Sequence, residues 1–263
     1  MNELEMKGVV ALLKEQGFIE LPTPSCKTDI KFASIGLSRM LDTDPLRSDF
    51  IISEQRYPRD ELGEPLELGL LDTKQGEKKE GTNLGVFDSA AGRTHNDAGK
   101  NRFHFADPLV SMLSVRAKSE YASFLRSAQR FNAIAKKLAL SVADEFDRAN
   151  ALLPVHERFP RSLRERLEHM FIITRLIRYH PLRAQIPDAQ VHCDRSLFTV
   201  HHYSSASGLR VFDKAKQSHA TDETNPETLC LFTGEKFRIA TRGMFGPAAA
   251  HGVYDERRLG TAP

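Results

Sequence analysis

From residue 172 onward the chain is a succession of short β-favouring runs, and this feature limits its fold more than any other. Residues 172–179, 197–203, 209–212, 228–232 and 237–241 are rich in Val, Ile, Leu, Phe and Thr and are cut by Gly, Pro, Ser and Asp. Many short strands at close spacing predict a sandwich, barrel or jelly roll and argue against a parallel α/β sheet. The first half has a different texture. Residues 1–20 read as a short amphipathic helix stopped at Gly17, then a strand-like Phe-Ile-Glu-Leu ended by prolines 22 and 24. Residues 53–101 are polar and turn-rich, broken by short apolar pieces such as 66–71. From Pro108 to about Ala149 apolar residues recur at three and four, including Tyr121, Phe124, Leu125, Ala128, Phe131, Ala135, Leu138 and Val142, which predicts one long helix or two in series. A further helix is expected from Pro160 through Leu163, Leu167, Met170 and Phe171. The expected plan is a helical and irregular support over 1–171 carrying a mostly β core over 172–263.

Composition removes several classes of function. Lys and Arg number 37 against 35 Asp and Glu, a formal charge of +2 over 263 residues, too little to make nucleic acid the default partner. No apolar run approaches the length of a membrane span, and the first residues lack the basic start and apolar stretch of a signal peptide, so a cytoplasmic protein is expected. Three scattered cysteines (Cys26, Cys193, Cys230) without a CxxC fit a reducing compartment and no cysteine-based zinc site.

The ten histidines carry more information. Two H-x-D tripeptides occur, at His95/Asp97 and His192/Asp194. Side chains at i and i+2 on a strand share a face, so such a pair can aim an imidazole and a carboxylate at one metal. A third ligand would complete a two-His, one-carboxylate set with open positions on Fe(II). The first pair sits in a glycine-rich polar stretch and reads as surface loop. The second opens into the run 197–203, a serine-rich turn and the run 209–212, and His251 follows in an A-A-A-H-G-V context.

The ordered set H-C-D (192–194), L-F-T-V-H-H-Y (197–203), G-L-R-V (208–211), G-E-K (234–236), T-R-G-M-F (241–245) and H-G-V (251–253) resembles the isopenicillin N synthase-like family of Fe(II)- and 2-oxoglutarate-dependent oxygenases. Upstream, R-L-I-R-Y-H-P (175–181) is similar to the family's L-x-R-Y-P strand, N-R-F-H-F (101–105) to its pre-helix element, and K-E-Q-G-F (14–18) to its N-terminal G-F segment. The resemblance implies a double-stranded β-helix (jelly roll) with N-terminal α support. It implies Fe(II) held by His192, Asp194 and His251, with 2-oxoglutarate as co-substrate and O2 and a small organic molecule as partners. The hydroxylation, desaturation or ring closure of that molecule would be the reaction. Arg258, with Arg257 beside it, is the expected partner of the co-substrate carboxylate, since a guanidinium fork matches a carboxylate. Tyr179 and Thr261 are the expected accessory hydrogen-bonding residues. Both arginines stand closer behind His251 than the family's arginine does, and the family's R-x-S is absent as written. That departure keeps two alternatives in view, a non-catalytic jelly-roll binding protein and an iron oxidase that does not use 2-oxoglutarate.

The remaining histidines and the cysteine have plainer readings. His201 and His202 are adjacent on one strand, so at most one faces inward, and the H-x-H of a cupin site is absent. Cys193 is expected to face away from a metal between its neighbours, as a packing residue. His156, His169 and His180 need no functional account, and Arg210 is either exposed or in reach of an acidic substrate.

Overall fold

The computed structural model describes residues 3–22, 27–41, 46–50, 54–59, 69–71, 100–179, 189–205, 207–222 and 224–253. The His95/Asp97 pair, His180, Arg257, Arg258 and Thr261 lie outside the described residues.

Helix α1 (Glu3–Gln16) stops where expected, at Gly17, whose φ of 85° is open to glycine and whose N–H donates to the Leu13 carbonyl at 2.9 Å. Strand β1 (Phe18–Pro22) follows directly. Helix α2 (Lys27–Leu41), not anticipated from the apolar pattern, crosses the later long helix at Gly36, where a Cβ would stand 2.4 Å from the Phe124 ring. Two strands flank the polar stretch, β2 (Gly69–Leu71) and β3 (Lys100–Phe105). The apolar periodicity after Pro108 resolves into three helices, α3 (Asp107–Met112), α4 (Val115–Glu120) and the 30-residue α5 (Ala122–Ala151). The break before α4 is set by Ser114, whose hydroxyl accepts from the Ala117 N–H at 3.0 Å. Helix α6 (Leu163–His169) begins later than Pro160 predicts, because Ser162 caps it. The Ser162 hydroxyl accepts from the Glu165 N–H, and the Asp147 carboxylate of α5 accepts from the Leu163 and Arg164 N–H groups.

The second half holds β4 (Thr174–Tyr179), β5 (Ala189–Cys193), β6 (Phe198–His201), β7 (Leu209–Phe212), β8 (Ser218–Ala220), β9 (Thr228–Thr233), helix α7 (Glu235–Ala240) and β10 (Ala250–Val253). Among the described residues all pairings are antiparallel, in three sheets ordered β1-β9-β6, β5-β10-β7-β8 and β2-β3-β4. Strand alternation divides the first sheet cleanly. Leu21, Leu229 and Leu231 face a helical core with Val9, Leu13, Val142, Phe146, Leu163 and Phe237. On the opposite face Phe18, Cys230 and Phe232 pack against Leu209 and Val211 of the four-stranded sheet. The architecture is thus helices, a three-stranded sheet and a four-stranded sheet in layers, with the space between the sheets available for a site. The third sheet and α2 to α5 enclose a separate core around Phe50, Phe103, Phe105, Tyr121 and Phe124.

One expected strand is a helix. Residues 237–241 alternate in polarity, but the buried side chains are Phe237, Ala240 and Thr241, at helical spacing, while Ile239 is 65% exposed. Gly234 leads in, Arg238 pairs with Glu235 at 2.8 Å, and a Schellman close ends α7: Gly243 N–H to Arg238 O at 2.8 Å and Arg242 N–H to Ile239 O at 3.1 Å. T-R-G-M-F is therefore a helix terminus with Arg242 at φ 54° and Gly243 at φ 73°.

Candidate metal centre

His192 lies on β5 and His251 on β10, and the register pairs them directly, so both imidazoles leave the sheet on one face, with ring centroids 4.4 Å apart. Asp194 follows β5 by one residue. Its Oδ1 is 3.6 Å from His192 Nε2 and its Oδ2 3.9 Å from His251 Nε2. One ligand atom from each of the three falls within 4.8 Å of the others, and they are the one group of three or more His, Cys, Asp or Glu side chains among the described residues placed to hold a metal ion. Arg257, Arg258 and Thr261 lie outside the described residues. Tyr179 ends β4, paired with Lys100. Cys193 turns to the other face, its Sγ 3.7 Å from the Ala248 carbonyl.

Ionisation suits the donor set to a cation. Burial would raise the Asp194 carboxyl, yet the His192 imidazole, the charge of His251 and the Thr199 hydroxyl hold it well below the usual carboxylate range. For His251, burial pushes the imidazole pKa down and His192 and His201 add to the fall, against the opposing pull of Asp194. Its Nδ1–H donates to the Ala249 carbonyl at 3.3 Å, the tautomer that leaves the Nε2 lone pair toward Asp194. Burial, Glu235 and Asp194 raise the Cys193 thiol, keeping it protonated and poor as a competing ligand.

Several residues that support the site were missed in the sequence. Thr199 donates to Asp194 Oδ2 at 2.5 Å and sits 3.0 Å from the Ser196 hydroxyl. Phe232 packs its ring on His251 at 4.5 Å. The loop after β5 is clamped by the start of α7: Glu235 N–H donates to Asp194 O at 2.7 Å, Gly234 N–H to Leu197 O at 2.9 Å and Lys236 N–H to Ser196 O at 3.2 Å. A Cβ on Gly234 would lie 2.2 Å from Ser196 O and 2.8 Å from Asp194 O, so only glycine permits this approach. The one available signal was the G-E-K segment, whose role is visible only once it lies against residues 194–197. His201 shares the inner face with Thr199 by its pairing to Cys230, whereas His202 packs on Phe131 of α5 at 5.5 Å, as expected for neighbours on one strand.

No protein-family model and no curated protein matches the sequence. Solved structures do. A Caulobacter crescentus protein assigned to the 2OG-Fe(II) oxygenase family is similar at a TM-score of 0.63 and 17% identity, over 98% of this chain and 79% of that one. The dioxygenase for auxin oxidation 1 of Arabidopsis thaliana, in its complex with 2-oxoglutarate, is similar at 0.61 and 13% identity, over 96% and 83%. A full-length Neurospora crassa protein in complex with α-ketoglutarate is similar at 0.61 and 14% identity, over 95% and 73%. At these identities the likeness is one of fold: the chain shares the fold of these three proteins. No described helix is long and apolar enough to cross a membrane.

Proposed function

We propose that this chain is a non-haem Fe(II)-dependent oxygenase of the isopenicillin N synthase-like type, a double-stranded β-helix that couples 2-oxoglutarate decarboxylation to the oxidation of a small organic molecule. The observation that carries this reading is the convergence of His192, Asp194 and His251 between two antiparallel sheets, on a fold shared with 2-oxoglutarate-bound oxygenases. The donor set fits the metal: two imidazole nitrogens and one carboxylate, a combination that leaves coordination positions open. Fe(II) bound there would use 2-oxoglutarate and O2 to supply an oxidant for substrate C–H bonds, one oxygen atom of O2 going into succinate as CO2 is released.

The protein's own contribution is placement. Ala249 fixes the His251 ring through Nδ1, Thr199 fixes the Asp194 carboxylate, and Phe232 excludes water from one side of His251. Residues 172–263 are assigned as the catalytic core and 1–171 as its support. Arg258, with Arg257 next to it, is assigned to the co-substrate carboxylate, assisted by Tyr179 and Thr261. Cysteine usage supports a cytoplasmic setting. Molecules named with the structural neighbours, auxin as what one oxidises and thymine in a complex of another, show how widely this fold is used and do not identify the molecule taken here.

Anaerobic addition of Fe(II) and 2-oxoglutarate, followed by absorbance, tests the reading. A visible charge-transfer band in the wild type that is lost in His192→Ala is expected. Metal binding in neither protein would overturn the reading and leave a non-catalytic jelly-roll protein; oxygen consumption with iron but without 2-oxoglutarate would replace it with an oxidase.

A further inference from the structure

The sheet β2-β3-β4 turns one face toward the side of the molecule that holds the metal centre. Helix α5 supports two sheets along its length. Phe124, Leu125 and Ala128 pack with Phe103 of β3 and Leu176 of β4, while Val142, Ala143 and Phe146 pack with Leu229 and Leu231 of β9. The two triplets stand eighteen positions apart, about five turns of an α-helix, so they share one side of α5. Side chains that alternate away from α5 in both sheets therefore emerge together, on the side where Thr199 of the first sheet bonds Asp194. In β4 that side belongs to Arg175 and Ile177, because Leu176 between them enters the core. Two consecutive residues of α5 tie the strands together there. Asn132 donates to the Ile172 carbonyl at 3.2 Å just before β4, and Phe131 packs on His202 just after β6.

Arg175 pairs across the ladder with His104, which is 4% exposed, yet Arg175 itself is exposed. Among the described residues its guanidinium makes no hydrogen bond and no ion pair. Its charge still reaches the centre: burial raises the Asp194 carboxyl, and Arg175 acts with His192, His251 and Thr199 to hold it down. A metal ion on Asp194 would take up that carboxylate's charge and leave the guanidinium facing the site without an anion. The approach is open, since the His192 side chain is 35% exposed. Ile177, 38% exposed and two residues along the same face, gives that approach an apolar wall.

Resting on the oxygenase reading, we propose that Arg175 is the specificity-determining residue that receives the carboxylate of the molecule to be oxidised, with that molecule's apolar body along Ile177 and its reacting carbon toward His192, Asp194 and His251. A single guanidinium fork matches one carboxylate, and its charge-assisted bonds favour the acid over a neutral amide of the same shape. The substrate class is then a small monocarboxylic acid with an apolar body.

Phenylacetate against phenylacetamide, and hexanoate against hexanamide, are the probes. They are titrated calorimetrically into the full chain loaded with Co(II) and 2-oxoglutarate, so that the metal's co-substrate positions are filled. At least one acid is expected to bind the wild type about tenfold more tightly than its amide, the value of a charge-assisted hydrogen bond. Arg175→Gln, a change at an exposed position, should erase that preference while Co(II) is still bound and 2-oxoglutarate affinity is unaltered. Neither acid preferred by the wild type, or a preference that survives in Arg175→Gln, overturns the proposal. A fall in 2-oxoglutarate affinity in Arg175→Gln also overturns it, by giving the guanidinium to the co-substrate. If Co(II) binds the wild type and the acids are not preferred, this inference alone falls; if Co(II) does not bind, the oxygenase reading falls as well.

Discussion

Gly234→Ala tests whether the start of α7 sets the position of Asp194. The added Cβ would lie 2.2 Å from Ser196 O and 2.8 Å from both Asp194 O and Ser196 Oγ, and two of these three atoms are backbone, which cannot swing aside. The carbonyl at Ser196 must retreat by about 1 Å, at an overpacking cost of roughly 1–3 kcal/mol. That retreat stretches the bonds from Glu235, Gly234 and Lys236 to residues 194–197, each contributing about 1 kcal/mol. A loss of about 3 kcal/mol is expected in urea unfolding of the apoprotein. Because the same atoms locate the Asp194 carboxylate, Co(II) affinity measured on the folded variant should fall by about 10- to 100-fold, the range for lost support around a metal ligand. Gly8→Ala, on α1 with nothing within 4 Å of the new Cβ, is the control and should raise stability by about 0.5–1 kcal/mol. Wild-type stability in Gly234→Ala would refute the steric argument; lower stability with unchanged Co(II) affinity would refute the positioning argument alone.

Thr199→Val keeps the shape but removes the hydroxyl bonded to Asp194 Oδ2, and metal affinity should drop about tenfold by isothermal titration with little change in the circular dichroism spectrum. Arg242→Gly relieves a non-glycine residue at φ 54° in the Schellman close of α7 and should stabilise the protein by about 0.5–1 kcal/mol in chemical denaturation. The His219 hydrogen bond and the Gln217 N–H hold the Asp213 carboxyl below its usual pKa. A depressed carboxyl contributes stability that is present above the unfolded-state value, about 3.9, and lost as pH falls through the folded one, so wild-type Tm should drop more steeply than that of Asp213→Asn below about pH 4. Parallel Tm profiles in that range would show that the pair does not form in solution.

Local chemistry explains which elements were readable. Gly17 ends α1 at a positive φ that glycine takes without strain, and the F-I-E-L run behind it is a short strand buried on both faces, Leu21 toward the helices and Phe18 toward the four-stranded sheet. Both signals act within a few residues. The failures arise where distant contacts decide. Residues 237–241 have β-favouring side chains, yet the helix wins because Phe237 and Ala240 reach the core shared with α5 and α6, and because the carbonyls of residues 194–197 capture the N–H groups at its start. Ser162 and Glu165 form an S-x-x-E cap, which starts α6 two residues beyond Pro160.

The candidate site was legible for a different reason. Antiparallel strands reverse direction at each turn, so β5 ends, β7 ends, β9 ends and β10 begins at one edge of the two facing sheets, with Ala250 paired to both Cys193 and Phe212 and the Ala249 N–H bonded to Thr233 O. The segments at those strand ends are therefore neighbours in space although they are spread along the chain, and an ordered string of short motifs is what that topology leaves in a sequence. A motif string records which turns meet, but it does not record register. The pairing of His251 with His192 and with Val211 depends on how three strands align over their whole lengths, and a slip of one residue in β10 would turn His251 to the opposite face. Register is fixed here by the inward set Phe18, Cys230, Phe232, Leu209 and Val211, which buries as one cluster only in this alignment. The apolar residues between the sheets thus determine whether the two histidines and the aspartate meet at all, and substitutions that loosen that cluster should weaken metal binding without touching a ligand.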